Sequence, residues 1–349
     1  MHARFNLTQI ISQQCLLLTL ACAFSFHAIL IYPAYFIGKH MSVYTRVDKG
    51  QLEAFLRNYQ IGELVDFQGI VAGITNTNYF LQSSTGEFVL TLYENHSAET
   101  LDYILGLQYH LASNSVACAL PVLDNNARLY SSLNNRPAAI IHCLPGLVCK
   151  KPTLENCALI GAELARFHLA GRGYTLNRGN PCGLSWCLAI CDKLENYLSD
   201  SDRQLLLEEL QFYQRYPMSD LPIGTLHADL FHDNVLFDGA SLSGIIDFDY
   251  ACNDVLIYDL CVTINDWCIE TDGGIDQNRM LALMQAYQLL RPILEQEQAA
   301  LPTMFRVAAL RFWLSRLHDQ FFPIAGELTF MKSPDEYKNL LLKHRESAI

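Results

Sequence analysis

What the sequence is short of narrows its possibilities before any motif is read. Charged side chains make up only 17% of the 349 residues, and hydrophobic ones 51%. An ordinary globular protein carries about 25% charge, so a disordered, solvating chain is excluded. There is no block of Lys and Arg, and 24 basic residues face 36 acidic ones for a formal charge of −12. That balance argues against nucleic acid as a partner, because a phosphate-backbone binder needs clustered cations. Any anionic ligand must be neutralised locally, by a metal ion or a few placed donors. The twelve cysteines contain no C-x-x-C pair. Cys182, Cys187 and Cys191 fit no standard zinc spacing, so the reading is buried, reduced thiols in a cytoplasmic protein. Internal repeats and low-complexity tracts are also missing.

Charge is absent altogether from Phe5 to Gly38, where Cys15 to Ile31 reads CLLLTLACAFSFHAILI. Such a run suits a cleaved secretory signal, an uncleaved anchor with Lys39, Arg46 and Lys49 on the cytoplasmic side, or an upstream extension. Gln13, Gln14, His27 and Pro33 interrupt it. The expectation is that residues 1–40 are an extension outside the fold, with no membrane partner unless that extension is expressed.

The remainder is long enough for two units. Residues 41–143 read as a small lobe. Asp48 caps a helix through Tyr59, strands follow over Leu64 to Ile70, Asn78 to Gln82 and Phe88 to Tyr93, Ser97 caps a helix to about Ser113, and Ala138 to Cys143 is another strand. Residues 144–349 are mostly helical, with helices over Thr153 to Ala170, Trp186 to Leu198, Leu205 to Tyr216, Leu256 to Cys268, Arg279 to Leu290 and Pro302 to Gln320. One β-rich island, Ile223 to Tyr250, interrupts them, with Asp238 to Gly244 as its hairpin connection.

That island carries the chemistry. It reads GTLHADLFHDNVLFDGASLSGIIDFDYACNDVLIYDL from Gly224 to Leu260. Asp229 is followed five residues later by Asn234, and thirteen residues after that by Asp247. Two short strands joined by a turn bring these three side chains together. Such a set suits phosphoryl transfer, in which one carboxylate takes the acceptor's proton while an amide and a second carboxylate hold Mg²⁺ against a triphosphate. The spacing parallels the kinase H-R-D-x-x-x-x-N and D-F-G segments through His227-Ala228-Asp229, Asn234 and Asp247-Phe248-Asp249, although the final Gly is missing. Asp249 is either a further metal-side ligand or a turn carboxylate.

HADLFHDN with IIDFDYACND and YDL resembles the aminoglycoside phosphotransferase and choline kinase superfamily. MSVYT (Met41 to Thr45), GITNTNYF (Gly73 to Phe80), FVLTLYE (Phe88 to Glu94), YACNDVLIYDL and RFWLSRLHD (Arg311 to Asp319) are similar to one branch of it, the bacterial homoserine kinases. The resemblance covers about residues 41 to 340. It implies an α+β, bilobal, protein-kinase-like fold, with an antiparallel-sheet lobe and a larger helical lobe, and ATP- and Mg²⁺-dependent phosphorylation of L-homoserine for threonine biosynthesis. Carried over residue by residue, Asp229 is the base, His227 braces its loop, and Asn234 and Asp247 bind magnesium. Asp259 satisfies backbone donors. Gly73, Thr75, Asn76 and Asn78 cover the nucleotide without forming G-x-G-x-x-G, and the adenine sits near His142 to Leu144.

One departure from the general kinase pattern is large. Thr91 stands where a kinase's third strand offers a phosphate-binding Lys, and no Lys occurs between Gly50 and Lys150. Glu99, the candidate partner of such a Lys, then lacks one. For the acceptor, Arg311 and Arg316 are candidates, one to grip a carboxylate and the other to serve structure, with Asp266 and Trp267 facing its ammonium. A kinase of another small alcohol, such as choline or an aminoglycoside, and a nucleotide-binding pseudokinase remain as alternatives.

Overall fold

The computed structural model describes residues 45–70, 75–323 and 332–347. The expected extension over residues 1–40 and the nucleotide-covering Gly73 lie outside them. No helix among the described residues is long and apolar enough to cross a membrane.

Helix α1 (Lys49–Leu56) starts at Asp48, whose carboxylate accepts from Gln51 N while the Gln51 side chain accepts from Asp48 N. Strands β1 (Leu64–Ile70), β2 (Thr77–Ser83) and β3 (Gly86–Leu92) form an antiparallel meander. Helix α2 (Ala98–Ser113) follows, capped by Ser97. Strands β4 (Ser131–Leu133) and β5 (Arg136–His142) complete a five-stranded sheet in the order β1-β2-β3-β5-β4. Alternation sorts its two faces. Tyr79, Leu81, Phe88, Leu90 and Leu92 pack with Leu52, Phe55 and Leu56 of α1 in a small core. Asn78 and Thr91, paired across β2 and β3, project from the opposite face.

The larger lobe holds β6 (Leu147–Val148), α3 (Leu154–Ala170), α4 (Leu184–Leu194), α5 (Asp200–Arg215), β7 (Ile223–Leu226), β8 (Val235–Asp238), β9 (Ser241–Ile245), β10 (Cys252–Val255), α6 (Leu256–Trp267), α7 (Gln277–Leu290), α8 (Glu295–Phe321) and α9 (Pro334–Ser347). Residues Leu101 to Leu111 of α2 belong to this lobe's hydrophobic core rather than to the sheet's, although they precede it in sequence.

Three elements differ from the sequence reading. The turn between β8 and β9 is only Gly239 and Ala240, because Ser241 pairs with Asp238 and extends the strand through the expected connection. Helix α5 begins at Asp200, since Ser199 caps it ahead of the first apolar residue. Helix α8 runs straight through Pro302 from Glu295. Its start is fixed by Glu297, whose buried carboxylate accepts from Leu294 N at 3.0 Å and from Arg291 Nη2 at 2.8 Å.

Helix α9, which the sequence reading did not include, docks through Tyr337, Leu340 and Leu341 and through His344. The His344 ring stacks on Phe305, and its Nε2 donates to Asn265 Oδ1 at 2.9 Å. Burial, aided by the Arg306 charge, pushes the His344 pKa down to about 4. The unfolded chain therefore binds more protons between about pH 6.5 and 4, and stability present above that window is lost as pH falls through it, by about 1 kcal/mol per unit. Urea midpoints at pH 7.5 and 5 are expected to diverge more for the wild type than for His344→Gln. Equal losses in the two proteins would refute this.

Candidate active site

The loop after β7 turns sharply, and a buried carboxylate makes the turn possible. Ala228 sits at φ 62°, a left-handed conformation that is unfavourable for a residue with a Cβ. Asp259, in the first turn of α6 and fully buried, accepts from His227 N at 2.9 Å and Ala228 N at 2.8 Å. Burial alone would raise the Asp259 pKa. The hydrogen bonds from His168 and from the loop backbone hold it below the ordinary carboxylate range instead. This is the donor-satisfying role that the resemblance implies for it.

His168, on α3, is tied in on both sides. Its Nε2 lies 3.2 Å from Asp259 Oδ2, and its Nδ1 lies 2.7 Å from the Tyr287 hydroxyl. Arg291 Nη1 donates to the same hydroxyl at 3.0 Å. Since Asp259 is ionised, Nε2 must carry the proton. Tyr287 then donates to Nδ1 and accepts from Arg291, which assigns every proton in the chain with a neutral His168. Burial lowers the His168 pKa in agreement.

The chemistry-bearing residues converge on this braced loop. Asn234 Nδ2 donates to Asp229 O at 2.8 Å and to Asp229 Oδ2 at 3.2 Å, which turns the amide Oδ1 away from Asp229. His227 is buried, and its Nε2 donates to Ile246 O at 3.0 Å, joining this loop to the Asp247 segment. Phe248 locks that segment by stacking on Phe167. Asp247 itself takes φ 62° and stays exposed. Burial pushes the Asp229 pKa up to about 7 against the opposing pull of Arg311. Asp247 is raised well above the usual range by the protein atoms around it and by Asp249 and Asp229.

The sheet lobe reaches this site through Asp249. Its Oδ2 accepts from Thr75 Oγ1 at 3.1 Å and Asn76 Nδ2 at 2.9 Å, and His96 Nε2 is 3.6 Å away. Thr75, Asn76 and Asp249, expected separately at the nucleotide and the metal, thus hold one another. Thr91 donates to Asn78 Oδ1 at 2.8 Å, so its hydroxyl is fixed on the open face of the sheet. Glu99 is exposed. At the expected adenine position, His142 N donates to Leu120 O and Cys143 N to Glu87 O, so these two N–H groups are committed within the protein.

The acceptor candidates separate. Trp267 is fully buried with its indole N–H on Leu230 O at 3.0 Å, so it braces the loop from inside the core and cannot face an acceptor. Asp266 Oδ2 accepts from both His232 N and His232 Nδ1 at 2.7 Å. Arg316 bonds Ser333 O and Glu336 and covers the Tyr337 ring, a structural clamp on α9. Arg311 alone turns to the site, with Nη1 3.7 Å from Asp229 Oδ1. The reading from sequence missed His232, His96, His168 and Lys332, whose Nζ pairs with Asp233 at 2.7 Å. Only His232, inside HADLFHDN, carried a local signal.

Residues 66–293 match the phosphotransferase enzyme family, and the chain belongs to it. Within that class it belongs to the homoserine kinases. It is 46% identical over 308 residues to the homoserine kinase of Methylobacillus flagellatus, covering 88% of this chain and 96% of that one. It is 45% identical over 303 residues to that of Methylobacillus glycogenes, covering 87% and 95%. The fold is that of an amicoumacin kinase solved with AMP-PNP and Ca²⁺, at a TM-score of 0.65, 16% identity and coverage of 86% and 93%.

Proposed function

We propose that this protein transfers the γ-phosphoryl group of ATP to the hydroxyl of L-homoserine, giving O-phospho-L-homoserine for threonine biosynthesis in the cytoplasm. The observation that carries the reading is the convergence of Asp229, Asn234 and Asp247 on one loop pair in a chain this similar to homoserine kinases. Asp229 acts as the base. The acceptor's hydroxyl proton passes to its carboxylate as the hydroxyl oxygen bonds to the γ-phosphorus and the bond to the leaving oxygen of ADP breaks. A pKa near 7 suits that exchange.

Asn234 and Asp247 would hold Mg²⁺. Among the described residues no three His, Cys, Asp or Glu side chains gather closely enough to cage a metal. An amide and a carboxylate are nonetheless a fitting set, because Mg²⁺ prefers hard oxygen ligands and takes most of its shell from phosphates and water. When bound, the ion neutralises the triphosphate. The Thr91 hydroxyl holds Asn78 Oδ1, so it is the Asn78 amide NH2 that would stand in for the ammonium of a kinase. Asp249 steadies Thr75 and Asn76 beside the nucleotide.

A coupled ADP-release assay with homoserine, choline and kanamycin tests the proposal. Turnover of homoserine alone is expected. No turnover of homoserine at millimolar concentration would overturn it, and ATP binding without turnover of any acceptor would favour a pseudokinase.

A further inference from the structure

Arg311 lies in the middle of α8 and is 3% exposed. Aromatic surface surrounds its guanidinium, with Cζ 3.8 Å from the Phe312 ring centroid and 4.7 Å from that of Tyr250. Its polar contacts are poor for so buried a charge. Nη2 donates to Cys182 Sγ at 3.8 Å, and Nη1 stands 3.7 Å from Asp229 Oδ1, beyond hydrogen-bond reach. No other carboxylate among the described residues comes within ion-pair distance of it. Neighbouring arginines differ. Arg306 grips Glu209 with two bonds of 2.7 and 3.0 Å, and Arg291 bonds both Glu297 and Tyr287.

A buried guanidinium carries five donors and a large desolvation cost, and burial of this kind persists where an anion matches the fork. Asp229 cannot serve as that anion. It is too distant for a forked pair, its Oδ2 accepts from Asn234, and as the proposed base it must stay available to the acceptor hydroxyl. Resting on the phosphotransferase reading above, we propose that Arg311 receives the carboxylate of the acceptor, and so selects an alcohol that is also an α-amino acid over a cationic amino alcohol. Such a carboxylate supplies the two parallel acceptors the fork lacks. The rings of Phe312 and Tyr250 fix the plane of the guanidinium beforehand. With the acceptor hydroxyl at Asp229 and its carboxylate at the adjacent guanidinium, a compact acceptor is required.

The test compares L-homoserine with 3-aminopropan-1-ol, which is the same molecule without its carboxylate, in the wild type, Arg311→Gln and Arg311→Lys. The wild type is expected to prefer homoserine by about 100-fold or more in kcat/KM, as a site with buried donors rejects the analogue that leaves them unmatched. Arg311→Gln should lose about 100-fold in kcat/KM for homoserine, mainly through KM, and less than about threefold for the aminopropanol. Arg311→Lys should recover part of the homoserine loss. An equal loss for both acceptors would overturn the inference and tie Arg311 to Asp229 instead. Should Arg311→Gln not fold, a wild-type preference below about tenfold overturns it without any variant. Absence of homoserine turnover in the wild type would instead defeat the proposed function itself.

Discussion

Asp229→Asn is expected to lower kcat for homoserine phosphorylation by about 10³-fold or more, within the range that general-base removal produces. ATP binding should be nearly unchanged. The asparagine keeps an oxygen where Asn234 Nδ2 donates to Asp229 Oδ2 at 3.2 Å, so the loop geometry survives while proton acceptance is lost. Stability should move the other way. Burial raises the Asp229 pKa to about 7, which means that the ionised carboxylate is disfavoured in the folded state. A neutral isostere should therefore raise the melting temperature at pH 8, the usual trade between a strained functional group and stability. Single-turnover kinetics, nucleotide titration and thermal denaturation of the one variant read all three effects. Loss of ATP affinity in step with kcat would contradict the role of base.

The second large effect belongs to a residue that touches neither substrate nor metal. Asp259→Ala would strand the His227 and Ala228 backbone N–H groups and the His168 Nε2 proton, all buried. Removing one partner from a buried charged network costs about 3–5 kcal/mol, so urea unfolding should shift far below that of Asp319→Ala, an exposed control. Activity should fall with it even where the variant is folded, because Ala228 keeps its left-handed turn only while the carboxylate holds it. A loss below about 1 kcal/mol, the worth of an ordinary hydrogen bond, would show that the loop needs no such brace.

The two variants also mark how far the sequence could be read. Asp229, Asn234 and Asp247 were legible because the chemistry lies in a loop and a hairpin close in sequence, where spacing alone brings the side chains together. The caps at Asp48 and Ser97 were equally local. His168 and Tyr287 were not legible. They meet Asp259 and each other across 91 and 119 residues, and each one alone is an ordinary residue on a helix. Thr75 and Asn76 were visible as a loop, but their partner Asp249 lies 174 and 173 residues away, so a nucleotide contact and a contact between lobes look the same in the sequence. Pro302 misled in the opposite direction. A local rule against proline inside helices lost to the packing of α8 and to the Glu297 bonds ahead of it.

The placement of α2 has a mechanical consequence. Its apolar side chains, and Tyr93 just before it, belong to the larger core, which Ala139 of β5 also joins, so the seam between the two cores leaves α2 with the helical lobe. A closing sheet would carry Asn78 and Thr91 toward Asp247 while α2 stayed with the helical lobe. Asp249 then straddles the seam. Thr75 and Asn76 travel with the sheet, and His96, packed edge-on against Tyr93, remains behind. One carboxylate thus registers the position of one lobe against the other.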